Sequence, residues 1–145
     1  MKTKYYNDAF IGNKNILATY SKNGELLRLY YPNPDFRQFI DFFGTGIKIN
    51  DSGMIYLHED INNKYNQEDT NVLNTEIENL YYKLKVKQMD YASTKKDVII
   101  KHYVFENGGS IDLNVNFLVH SKLIYEENNS VGAQIKNNAL IMTMH

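Results

Sequence analysis

The chain has 145 residues and a formal net charge of −1, with 16 Lys and Arg side chains against 17 Asp and Glu. This length suits one domain, and the balanced charge lacks the basic footprint that draws proteins to nucleic acid or to anionic membranes. The absence of Cys excludes disulfides, thiolate metal sites and a Cys nucleophile. We therefore predict a single domain over residues 1–145, with no nucleic-acid partner and no membrane partner.

The start of the chain, residues 1–6, lacks the apolar segment of a secretory signal, and no run of about 18 apolar residues follows. We therefore expect a cytoplasmic protein, with secretion of a longer parent protein left open. Twelve Tyr and seven Phe, with little Ala, favour strands over helices because aromatic rings pack well on a pleated surface. The composition predicts an all-β domain.

The first predicted elements form a hairpin. Residues 15–20 and 26–31 are strand-like, and Asn23-Gly24 between them suits the positive φ angles of a tight turn. Two prolines then end the second strand, because proline donates no hydrogen bond to a strand ladder. Residues 35–43 fit either a short helical turn or a bent strand.

A second hairpin is predicted from residues 44–50 and 54–57, where apolar and polar residues alternate on both sides of a polar turn. Residues 58–69 are polar and rich in Asn, which predicts a long exposed loop. Residues 71–78 form a strand whose apolar positions do not keep one parity, so it fits a bulge or a change of buried face. Residues 80–89 alternate more cleanly and predict a strand with one core face and one wet face.

The later part of the chain continues this pattern. Residues 98–105 and 111–118 are predicted to pair across a turn that contains two glycines. Two short strand-like segments follow at 131–135 and 139–144, and the apolar ending is interpreted as a cut through a longer protein, or alternatively as a C-terminal edge strand. Many short strands at this spacing predict an antiparallel sandwich.

No pattern in the sequence predicts a catalytic, metal or cofactor site. Glycoside hydrolysis needs two carboxylates that flank one bond, but neighbours such as Glu59-Asp60 and Glu68-Asp69 point to opposite faces of a strand and are interpreted as solvated loop residues. The glycines of Gly44-Thr45-Gly46 lack the lysine and the helix of a phosphate-binding loop and are interpreted as turn residues. The histidines are too scattered for a metal cluster: His58, His102, His120 and His145.

Tyrosine gives the best argument for a binding role. Exposed tyrosine rings can stack on sugars while their hydroxyls form hydrogen bonds. The alternative is that these rings fill the core and rims of a sandwich, and the absence of Trp weakens the sugar-platform interpretation. The tyrosines that could offer such faces are Tyr30, Tyr31, Tyr56, Tyr65, Tyr81, Tyr82 and Tyr91. The candidate carbohydrate contacts selected from them are Tyr30, Tyr31, Tyr56 and Tyr65.

A series of short blocks, in a fixed order, carries a family likeness. The blocks are residues 7–13 (Asn-Asp-Ala-Phe-Ile-Gly-Asn), 27–32, 39–41, 46–47, 69–76 and 113–123. Together they resemble the N-terminal domain that precedes the catalytic barrel in prokaryotic glycoside hydrolase family 15, the glucoamylase and glucodextranase group.

This resemblance implies an antiparallel super-β-sandwich of the galactose-mutarotase-like type. In the family, that domain packs on an (α/α)6 barrel that carries the catalytic acid and base, and it supports the folding of the barrel and shapes its substrate side. The barrel has no counterpart in this chain, so no catalytic residue is carried over. The family's domain is also usually longer, and we expect the uncovered strand edges of a shorter sandwich to drive dimerisation or aggregation.

Three function hypotheses follow. The first is a non-catalytic accessory domain of a glucoamylase-like α-glucan hydrolase, with the catalytic barrel as its partner and α-glucan as a candidate ligand. The second is an independent carbohydrate-binding module that uses exposed tyrosines. The third, an enzyme in its own right, requires a cleft with convergent polar groups.

Overall fold

A computed structural model describes residues 7–33, 35, 38–59, 64–67, 70–124 and 130–144, without the side chains of 64, 65 and 144. Within these residues the chain forms strands and one short 3-10 helix, Leu57–Glu59. The strands are β1 (Ala9–Gly12), β2 (Leu17–Tyr20), β3 (Leu26–Tyr30), β4 (Ile40–Ile49), β5 (Ile55–Tyr56), β6 (Lys64–Asn66), β7 (Val72–Asn79), β8 (Leu84–Ala92), β9 (Ile99–Asn107), β10 (Val115–Leu123), β11 (Val131–Lys136) and β12 (Ala139–Met144). In the described part of the chain, no helix is long and apolar enough to span a membrane.

The strands form two layers of antiparallel sheet, which confirms the predicted all-β sandwich. One layer has the order β6-β7-β8-β9. The facing layer contains the sheets β1-β2-β3 and β10-β4-β5, which meet where Tyr30 forms a bridge with Gln38 and Phe39 donates to the carbonyl of Leu29. The hairpin of β11 and β12 forms a separate two-stranded sheet.

Alternating side chains explain why these strands pack into two layers. Along β8, every second residue from Leu84 to Ala92 is buried, while the residues between them face outward. Two clusters of buried apolar side chains fill the space between the layers. The first includes Ala9, Ile11, Ala18, Tyr20, Leu26, Ile40, Leu73 and Ala92, and the second includes Ile47, Ile49, Leu57, Ile77, Leu84 and Val86.

The local hairpins agree with the sequence predictions. β2 pairs with β3 across a turn in which Gly24 has a φ of 75°, and β4 pairs with β5. In the segment 35–43, predicted as a helical turn or a bent strand, residues 40–43 form the start of β4. β11 and β12 also pair as a hairpin, at the two short segments that were predicted last.

The predicted pairing of residues 98–105 with 111–118 is wrong. β9 pairs with β8, and β10 pairs with β4 in the facing layer. The intervening segment therefore crosses between layers instead of making a hairpin turn. This happens because the inner faces of β9 and β10 carry aromatic rings that pack on each other, with Tyr103 and Phe117 at a centroid distance of 4.8 Å.

Other corrections concern single elements. The predicted loop 58–69 contains β6, a polar strand that pairs with β7, because backbone pairing at an edge needs no apolar alternation. Residues 80–83 form the turn before β8 and do not belong to the strand. β7 keeps one parity, since Leu73, Thr75 and Ile77 all face inward. Within the range 58–69, residues 60–63, 68 and 69 lie outside the described residues.

Gly44 and Gly46 are not turn residues, because both lie inside β4. A Cβ on Gly44 would come within 2.6 Å of the Phe42 ring and 2.8 Å of the Tyr56 ring. These rings lie over the bare backbone of Gly44, an arrangement in which aromatic residues compensate for glycine in a strand. The glycine is therefore needed for close approach of the rings and not for a turn.

Candidate functional site

The two lateral edges of the sandwich differ in whether side chains cover the outer edge of the last strand. At the β1 edge, side-chain amides bond to the backbone as a neighbouring strand would. Asn71 accepts from the Gly12 N–H at 3.0 Å and donates to its carbonyl at 2.6 Å, and Gln67 bonds the N–H and carbonyl of Phe10 in the same way. This edge is therefore capped by the chain itself, which is one way that proteins prevent unwanted strand pairing.

The opposite edge, formed by β9 and β10, is open. Within the described residues each of these strands pairs on one side only. Large apolar side chains that face the space between the layers are exposed here: Phe105 at 36%, Phe117 at 41% and Val119 at 51%. We call these three side chains the open edge. A group of apolar side chains that remains exposed between two sheets marks a surface for contact with another folded unit.

A buried ion pair lies between the layers, on strands β8 and β9. The Lys101 ammonium contacts the Asp90 carboxylate at 2.5 Å, and the Asp90 side chain is fully buried. The second carboxylate oxygen accepts a hydrogen bond from Gln88 at 2.6 Å, and Gln88 also donates to the carbonyl of Gly24. The Lys101 ammonium lies 5.1 Å from the centroid of the Tyr20 ring. This network joins the two layers through polar contacts.

Burial governs the titration of this network. Burial raises the pKa of Asp90 and lowers the pKa of Lys101, and the attraction between the two groups opposes both shifts. Burial, together with the nearby Asp90 charge, also raises the pKa of Tyr20. Burial raises the pKa of Tyr103, whose hydroxyl donates to Thr45 at 3.0 Å. Both tyrosines therefore stay neutral in the folded protein at a pH where a free tyrosine ionises.

We expect the protein to lose stability at alkaline pH. Because both tyrosines have folded pKa values above 10, their contribution is complete below pH ~10 and is lost as the pH rises from there toward the folded values. Each tyrosine lowers the free energy of unfolding by about 1.4 kcal/mol per pH unit in that window. Lys101 has the opposite sign, but its effect ends near the unfolded lysine pKa of ~10.4.

Urea unfolding followed by circular dichroism between pH 10.5 and 12 measures this slope. Tyr103→Phe should reduce the slope by about one tyrosine's contribution, ~1.4 kcal/mol per pH unit, because Phe does not ionise. Tyr81→Phe is the matched control, since Tyr81 is 86% exposed and should leave the slope unchanged. Identical slopes for the parent chain and Tyr103→Phe would contradict the account.

The predicted carbohydrate contacts lie on or beside three strands, with Tyr30 on β3, Tyr56 on β5 and Tyr65 on β6. Tyr30 ends β3 and is half-buried, while Tyr31 is 43% exposed. The side chain of Tyr65 lies outside the described residues. Tyr56 is half-buried on β5, where its hydroxyl forms a 3.0 Å hydrogen bond with His120 Nδ1 and its ring packs edge-on against Phe42.

Only one of the four residues of the acidic pairs lies among the described residues. Glu59 ends the 3-10 helix, and its neighbour Asp60 and the pair Glu68-Asp69 lie outside the described residues. Among the side chains that the structure describes, no three His, Asp or Glu residues are grouped closely enough to hold a metal ion.

The sequence interpretation missed the open edge. It predicted that β9 and β10 pair with each other in one sheet, and in that arrangement they would not form the open edge between two layers. The available signal was the strict alternation of apolar residues along 111–117, which predicted a buried face but not its position in the facing layer.

Comparison of the whole chain with known protein families, with curated proteins and with solved structures gives no significant match.

Proposed function

We propose that this chain is a non-catalytic accessory domain of a glucoamylase-type α-glucan hydrolase, and that it packs on the catalytic (α/α)6 barrel through the open edge. The observation that carries this proposal is the exposure of Phe105, Phe117 and Val119 between two sheets whose other lateral edge is capped. The ordered series of sequence blocks supports the choice of a glucoamylase-type barrel as the partner.

The open edge has the properties of a docking surface. Its aromatic rings are held in place, because the Phe117 ring packs against two other rings. The centroid distances are 4.8 Å to Tyr103 and 5.9 Å to Phe105. Tyr103 is in turn fixed by its hydrogen bond to Thr45 in β4. A partner would therefore meet a rigid apolar surface and would order few side chains on binding, which favours affinity. In this proposal the domain supports the fold of the barrel and shapes its substrate side.

The test is a binding titration of the chain with a glucoamylase-type barrel that lacks its own N-terminal domain. We expect Phe117→Asp to weaken binding by about tenfold or more, because docking would bury an unpaired carboxylate. Val119→Lys should act in the same direction at a side chain that is 51% exposed. Phe10→Asp is the matched control, since Phe10 is 52% exposed on the capped β1 edge and should bind like the parent chain.

Unchanged binding by both open-edge variants, with folding verified by circular dichroism, would contradict the proposal, and so would glucose release from maltooligosaccharides by the chain alone.

Without the barrel, we expect the open edge to drive self-association, which Phe117→Asp and Val119→Lys should reduce. Light scattering measures this, and a monomeric parent chain would show that the predicted dimerisation is wrong.

A further inference from the structure

Three loops at one end of the sandwich surround a cleft of about 330 Å³. They are the turns that follow β4, β7 and β9. The lining includes Asn50, Tyr81, Tyr82, Lys83, Ser110 and Ile111. This volume is at the small end of the range for ligand sites, ~300–1,000 Å³. The ends of sandwiches, where loops cluster on a rigid scaffold, are common positions for binding sites.

Hydrogen bonds between the loops hold the cleft in shape. The Gly108 N–H donates to the Lys83 carbonyl at 2.9 Å, which ties the turn after β9 to the turn after β7. The Asn50 N–H donates to the Asn114 carbonyl at 2.7 Å, and the Asn114 N–H donates to Asn50 Oδ1 at 2.9 Å. These contacts tie the turn after β4 to the same segment. The cleft is therefore preformed, and a ligand would not have to order its walls.

The two tyrosines of the cleft have different surroundings. Tyr82 packs against the second core cluster, and its N–H donates to Asn79 Oδ1 at 3.0 Å. Tyr81 meets Tyr82 edge-on at a centroid distance of 4.8 Å, yet it is 86% exposed. Packing therefore fixes the base of the cleft, while the Tyr81 ring remains available to a ligand. Ile111, which is 75% exposed, forms a second apolar part of the lining.

The backbone beside the cleft also departs from ordinary geometry. Lys83 has a φ of 54°, in the left-handed region that Gly or Asn adopts more easily. A lysine in such a position carries backbone strain, and strain of this kind is concentrated at ligand clamps and active sites. Both Lys83 and Ser110 belong to the cleft lining.

The chemistry of the lining limits the class of ligand. Lys83 is the only basic side chain among the described lining residues, and no carboxylate lies among them to select a cation. A free aromatic ring offers a face for apolar C–H groups, while the lysine, serine and asparagine groups offer hydrogen bonds. A ligand with no positive charge, one apolar face and many hydroxyls matches both parts of the lining.

We propose that this cleft is a binding site for a neutral saccharide, with the Tyr81 ring as the stacking surface and Lys83 and Ser110 as hydrogen-bond donors. Tyr81 and Tyr82 are among the tyrosines that the sequence offered for sugar stacking, but the site includes none of the four candidate contacts selected there. It does not depend on docking through the open edge. Its failure would leave the barrel titration unaffected.

The test is an NMR titration of the ¹⁵N-labelled chain with maltose, isomaltose, cellobiose and lactose. We expect at least one of these sugars to shift the amide signals of residues 80–83 and 108–113. Tyr81→Ala should weaken that binding by about tenfold, because the stacking surface is removed. Phe10→Ala is the matched control, since Phe10 is an exposed aromatic residue on β1 that does not line the cleft and should leave the affinity unchanged. Lys83→Met, which keeps the length of the side chain, should weaken binding through the lost donor.

The absence of a response to all four sugars overturns the proposal. Equal affinities of the parent chain and Tyr81→Ala also overturn it, because the ring would then not form the site. A response of the Tyr81 amide to the catalytic barrel, with none to the sugars, overturns it in favour of a protein contact at this end of the sandwich.

Discussion

Lys101→Met lowers the free energy of unfolding by about 3–5 kcal/mol in our account, because it leaves the Asp90 carboxylate buried without its cation. Gln88 still donates one hydrogen bond to Asp90, but a neutral donor replaces little of the lost charge interaction. The methionine has a similar shape, so loss of packing contributes little. The loss should shrink as the pH falls toward the raised pKa of Asp90, because the protonated carboxyl is easier to bury.

The double variant Asp90→Leu with Lys101→Met separates this explanation from simple loss of contacts. Replacing a buried ion pair by apolar residues of similar volume is often neutral or stabilising. We therefore expect the double variant to be at least about 2 kcal/mol more stable than Lys101→Met alone. Chemical denaturation of the four members of this cycle at neutral pH and at pH 5 measures both effects. Additive losses in the double variant would contradict the account.

Gly24→Ala should destabilise the fold by about 2–5 kcal/mol, from left-handed backbone strain and from overpacking together. Gly24 has a φ of 75° in the turn between β2 and β3. A Cβ at this position would come within 2.5 Å of Thr75 Oγ1, a buried hydroxyl in the opposite layer. The substitution would therefore push the turn away from β7, and the hydrogen bond from Gln88 to the Gly24 carbonyl would be strained as well.

Gly53→Ala is the matched control for this variant. Gly53 also lies in a hairpin turn, but a Cβ there meets no atom within 4 Å and its φ is not in the left-handed region. Its thermal midpoint should stay close to that of the parent chain, or rise slightly because alanine restricts the unfolded chain. Equal midpoints for the two glycine variants in a thermal melt would show that the Gly24 turn does not need its glycine.

The sequence predicted the parts of the fold that depend on neighbouring residues. Asn23-Gly24 determines a turn by its own backbone preferences, and Leu84 and Val86 face the core because alternation is a local property of a strand. The same local patterns identified the two short segments that form β11 and β12. These features do not require knowledge of which strand lies in which layer.

The errors with the largest consequences involve contacts between distant segments. β9 and β10 look like a hairpin because both alternate and a glycine-rich segment joins them, but the aromatic contact between Tyr103 and Phe117 is made across the layers. Gly44 looked like a turn residue because nothing nearby in sequence shows that the Tyr56 ring will cover it. The open edge and the cleft depend on such long-range placement, so neither could be located by pattern alone.

Hydrogen–deuterium exchange of the chain, with and without a glucoamylase-type barrel, tests the central claim most directly. If the domain docks through the open edge, the amides of β9 and β10 should become more protected in the complex, while those of the capped strand β1 should not change. Unchanged exchange in β9 and β10 at barrel concentrations that saturate binding would contradict the claim.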